Sequence, residues 1–92
     1  MDYRIEWPAP MDEGDWAMQK IKGWIDMTVI CDGRRRDVEV YDPVRLSQSV
    51  GELMHHYGHF ATKHLLVVPS VTPEDIETAI AELVEKHFFD QD

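Results

Sequence analysis

The sequence predicts an α+β fold: a two-layer sandwich in which a small, mainly antiparallel sheet is covered on one face by two helices. Three observations carry this. Ile25, Met27, Val29 and Cys31 alternate with other residues, Asp32-Gly33 marks a turn, and Val38–Tyr41 alternates again, which is a β-hairpin. Two amphipathic stretches follow proline-bearing starts at Asp42-Pro43 and Thr72-Pro73, which are helices. Between them Leu65-Leu66-Val67-Val68, ended by Pro69, is a short apolar run, which predicts a third strand buried on both faces. The order is ββαβα, preceded by an N-terminal element that the pattern leaves open.

The N-terminal part opens on Tyr3, Ile5 and Trp7 in alternation, fitting a short edge strand, and breaks at Pro8-Ala9-Pro10. Residues 1–15 are therefore expected to be an acidic arm or linker, with residues 16–92 as the single domain. Residues 16–23 fit either a short helix capped by Asp15 or a strand leading onward.

The hairpin admits two registers. A two-residue Asp32-Gly33 turn sets Asp26 opposite Glu39 and sends Arg34 and Arg36 to the Val29 face. A four-residue loop over 33–36 pairs Cys31 with Val38 and Val29 with Val40, keeping Arg34, Arg35 and Arg36 at the tip. Burying arginines costs more than a longer loop, so the second register is expected.

In the first of these helices Leu46, Val50, Leu53, Met54 and Tyr57 share one face, and Gly58 is a natural stop. Ser49 with Glu52 is an alternative start. In the last helix Thr72 caps, Pro73 takes the first position, and Ile76, Ala79, Ile80, Leu83, Val84 and Phe88 form the inner stripe. Glu74, Thr78, Ala81, Glu82 and Glu85 are then left on an outer face that is acidic and unpaired.

Charge bounds function. The 92 residues carry 18 acids and nine Lys/Arg, a formal −9. Residues 1–15 hold five acids against Arg4 and residues 73–92 hold seven against Lys86, whereas 16–72 hold six acids and seven bases. Such a balance opposes nucleic-acid binding, which needs cations to meet phosphate, and opposes anionic membranes. No apolar run approaches the roughly 18 residues that span a bilayer. The N-terminus lacks the basic-then-apolar layout of a secretory signal. Cys31 is the only cysteine, which excludes an internal disulfide. A cytoplasmic location is expected.

No catalytic arrangement assembles from the pattern. Cys31 lies on the inward face of a strand, where an inert thiol is expected, and Ser47 and Ser49 are explained by capping. The carboxylates lie along solvated faces with no paired setting that would separate their pKa values. No enzyme and no cofactor is expected. Arg34–Arg36, flanked by Asp32 and Asp37, is read as a solvated turn.

The expected function is a non-enzymatic protein-binding module that engages a basic protein, in the manner of an adaptor or an immunity protein, an analogy of size and charge alone. Tryptophan is a frequent anchor at interfaces, and acids around it suit a basic rim. The expected contacts are Trp7, Asp12, Glu13 and Asp15 of the arm, with Glu74, Glu82 and Glu85 of the last helix. Trp7 is expected to be the freest tryptophan, with Trp16 or Trp24 in the core. One alternative is a transition-metal site built from His55, His56, His59 and His64, which lie within ten residues. Against it, histidines at a helix end are also explained by the helix dipole. A second alternative is a homo-oligomer formed through an exposed sheet face or edge.

Overall fold

A computed structural model describes residues 2–61 and 64–87. The fold is α+β. Its elements are β1 (Tyr3–Glu6), α1 (Glu13–Lys22), β2 (Trp24–Cys31), β3 (Arg34–Tyr41), α2 (Pro43–Tyr57), β4 (Leu65–Val67) and α3 (Pro73–Glu85). The four strands form one sheet in the order β1-β2-β3-β4. The first two pairings are antiparallel, and β3 with β4 is parallel. The sheet is thus mostly antiparallel, as expected, with one parallel pair added by the α2 crossover.

One face of the sheet is the core. Ile25, Met27, Val29 and Cys31 of β2 and Val38 and Val40 of β3 are buried with Val68, Val71 and Ile76, Ile80 and Val84 of α3. The stripe expected of α3 is therefore its inner face, with Ala79 and Leu83 packed at its margins. Phe88 lies outside the described residues. Thr72 caps α3 by accepting from the Asp75 N–H at 3.3 Å, and Pro73 opens the helix. Asp42 caps α2 in the same way, accepting from Arg45 N–H at 2.7 Å, so this helix starts at Pro43 and not at Ser49. It ends at Gly58 in the left-handed region.

Several expectations are corrected. The hairpin adopts the two-residue turn: Cys31 pairs with Arg34, Val29 with Arg36, and Asp26 with Glu39. Asp32 and Gly33 both have positive φ (52° and 77°), the primed turn whose twist matches the strands. The arginines are accommodated because the core face is open at this end. Arg34 is exposed, Tyr3 across the sheet is exposed, and Arg36 is half-buried with its Nη1 donating to the Arg35 carbonyl at 3.2 Å. Arg34 keeps its head in water, whereas Arg36 lays its stem along apolar surface with part of its guanidinium buried.

The third strand is not buried on both faces. It is a three-residue edge strand with Leu65 36% and Val67 44% exposed. On α2, Leu46, Val50 and Leu53 are half-buried, but Met54 and Tyr57 are exposed. Residues 16–22 are helical. The cap of α1 is Asp12, not Asp15, and Asp15 completes a capping box from the third helical position. Residues 3–6 belong to the sheet and α1 begins at Glu13, so the position expected to separate arm from domain falls inside a helix.

Candidate functional site: the open face of the sheet

Strand residues alternate between faces, so each core position implies a neighbour on the other side. The register arranges these neighbours in rows. Arg4, Ile30 and Arg35 form the row nearest the turn, and Glu6, Thr28 and Asp37 the next. Asp26, Glu39 and Leu65 form the third, and Trp24, Tyr41 and Val67 the fourth. None of these side chains is buried. The face therefore runs from basic, through acidic, to apolar and aromatic.

The two acidic rows line an open groove of about 640 Å³ that crosses β1, β2 and β3. Trp7 and Pro8 close one end, and Ala61 and His64 the other. Four carboxylates line it (Glu6, Asp26, Asp37 and Glu39) against the single guanidinium of Arg35. That guanidinium is engaged: Arg35 Nη2 donates to Glu6 Oε1 at 2.8 Å, with Arg4 3.5 Å from the other oxygen of Glu6. Asp37 accepts from Thr28 Oγ1 at 3.0 Å, and its backbone carbonyl lies 3.3 Å from His64 Nδ1.

Asp26 and Glu39 are directly opposed. The Glu39 N–H donates to the His64 carbonyl on the β4 side, so the backbone of Glu39 is turned away from β2. The pair is then of the kind without mutual backbone hydrogen bonds, in which side chains stand closest. Like charges so placed destabilise a sheet. Partial burial, and then the charge of Glu39, raise the Asp26 carboxyl above its usual 3.8, and Lys22 opposes the rise. Burial followed by Glu39 and Asp26 likewise raises the Tyr41 hydroxyl above 10.0. Two ionisable groups on this face therefore resist negative charge. An open set of carboxylates of this kind attracts a cation.

The residues expected to bind a partner are placed otherwise. Trp7 is half-buried against the core, with its ring edge-on to Trp16 at 4.8 Å between centroids, so it is not the free tryptophan. Of the expected contacts, it is the one that lines the groove. Trp24 is on the open face, not in the core. Asp12 and Asp15 are occupied with each other's N–H groups at 2.8 and 3.1 Å. Glu13 and Glu74 are exposed in first helical turns, where the dipole favours an acid. Glu85 is exposed, whereas Glu82 meets Lys86 at 2.8 Å, so the outer face of α3 is not unpaired.

The histidines are spread. His55 and His56 stack edge-on in the last turn of α2, His59 Nδ1 lies 3.1 Å from the Tyr57 carbonyl, and His64 stands at the sheet. Among the described residues no group of three or more His, Cys, Asp or Glu is placed to hold a metal ion. Nor, among the described residues, is any helix long and apolar enough to cross a membrane.

Asp26, Asp37, Glu39 and Glu6 were not among the expected site residues. The signal that finds them is the Asp-Gly turn, which fixes the register that opposes Asp26 to Glu39. Comparison of the chain with protein-family models, curated proteins and solved structures yields no match.

Proposed function

We propose that this protein is a non-enzymatic binding module that engages a basic protein partner through the open face of its sheet. The observation that supports this most is the groove with four carboxylates against one guanidinium, on a face left uncovered. Opposing Asp26 to Glu39 costs the fold a little, and a cation from outside would relieve the raised Asp26 carboxyl. Complementary charge of this sort mainly speeds encounter and selects the partner. The −9 net charge adds long-range attraction for a basic surface. We place the protein in the cytoplasm, where Cys31 stays a thiol.

The test is retention of proteins from the native host by immobilised wild type and by Asp26→Asn. A basic protein should be held at low salt, released near ~0.5 M salt as screening shortens the interaction range, and held less by the variant. Retention indifferent both to salt and to the substitution overturns the reading.

A further inference from the structure

Trp24 stands in the row beside the Asp26–Glu39 pair, and a cation already sits on it. Lys22 Nζ lies 4.2 Å from the centre of the Trp24 ring. The same charge acts on Asp26, the next residue along β2 on that face. Lys22 is the last residue of α1, and Gly23, with a left-handed φ of 83°, turns the chain directly into β2. The turn lays the last helical side chain over the first strand residue. Lys22 thus occupies a corner made of an aromatic face and a carboxylate.

We propose that this corner is a cation subsite for an arginine of the partner, and that Lys22 is its tethered stand-in. The proposal rests on the basic-partner reading above and specifies which side chain the face takes. A guanidinium is planar, stacks flat on an indole, and presents forked donors to a carboxylate; an ammonium meets either group only as a compact point charge. An arginine can therefore make both contacts and displace Lys22. Tyr41 and Val67 continue the Trp24 row, Val67 being 44% exposed, which gives an apolar residue beside that arginine a place to lie. The partner segment has an arginine next to an apolar side chain. Lys22 covers the indole until such a segment arrives.

The test titrates the folded protein with acetyl-Leu-Arg-Val-amide and follows the Trp24 indole and Asp26 amide signals by NMR. Lys22→Gln should bind about two- to fivefold more tightly than wild type, the scale of an exposed cation–π contact relieved of its competitor. Lys20→Gln makes the same change in net charge away from the ring, and should bind as wild type does. Equal gains in both variants, no gain in Lys22→Gln, or signal changes away from Trp24 and Asp26 each overturn the subsite. Salt-dependent retention of a basic protein together with an unaltered Lys22→Gln affinity removes the subsite and leaves the groove. A Lys22→Gln gain with no protein retained upholds the subsite and removes the protein partner.

Discussion

The two faces of the sheet are built from the same strands and have opposite fates. On the inner face Val29 and Val40 are fully buried and α3 seals them with Ile76 and Ile80. One residue along each strand, the outer face carries Thr28, Asp26, Glu39 and Tyr41, none of them buried. Alternation separates two tasks at a spacing of one residue. Stability resides in the inner set, which can vary little in volume. The outer set is relieved of packing and can hold charges that the fold does not need.

Four substitutions probe this division, from the largest effect to the smallest. Ile80→Ala, on the sealed side, should cost about 2–5 kcal/mol in urea unfolding, because it removes buried methylenes and leaves a cavity. A cost under ~1 kcal/mol would mean that α3 does not seal the sheet. Gly23→Ala should cost about 2 kcal/mol, since φ is 83° and the new Cβ would stand 2.8 Å from both Arg45 Cβ and Asp42 Oδ2. It also moves Lys22, so the Trp24 fluorescence should change with it. Asp42→Ala should cost about 1 kcal/mol by leaving the Arg45 N–H of α2 without its cap. Thermal unfolding measures it.

Asp26→Asn is the outer-face counterpart and has the opposite sign. It should stabilise by about 0.5 kcal/mol, the scale of an exposed like-charged cross-strand pair. The pH dependence follows from the raised carboxyl. A folded pKa above the unfolded value means that the folded state binds the proton more readily. The penalty is therefore fully present at neutral pH and fades as pH falls through the folded value, which burial and Glu39 hold above the ordinary carboxylate value. The gap between variant and wild type should narrow over that window. A destabilised variant, or a gap that widens on acidification, would mean that Asp26 supports the fold.

The inner face was more legible in the sequence than the outer. Ile25, Met27 and Val29, with Ile76, Ile80 and Val84, declare themselves by period, and Thr72-Pro73 and Asp42-Pro43 declare their helices by local chemistry. Three-residue β4 carries too little pattern to show that it is an edge, since an apolar run looks alike buried on one face or two. The groove depends on the register of the hairpin. Placing Arg34 and Arg36 at the tip avoids burying them only if the core face is sealed at that end, and exposed Tyr3 and Arg34 make it open. Register is a tertiary property there, because one rung decides which side chains oppose each other. At the two ends Asp12 and Asp15 cap α1 and Glu82 pairs with Lys86, local roles that a count of acids does not declare.

The most direct test of the account compares two variants matched in charge. Asp26→Asn/Asp37→Asn/Glu39→Gln removes three of the four groove carboxylates and leaves Glu6 with Arg35, and Glu74→Gln/Glu82→Gln/Glu85→Gln takes the same three charges from the outer face of α3. Both are assayed for affinity toward the basic protein that wild type retains. The account predicts a loss of at least about tenfold for the groove variant and under about threefold for the helix variant. Equal losses would reduce recognition to net charge, and a larger loss from the helix would contradict the claim that the open sheet face is the site.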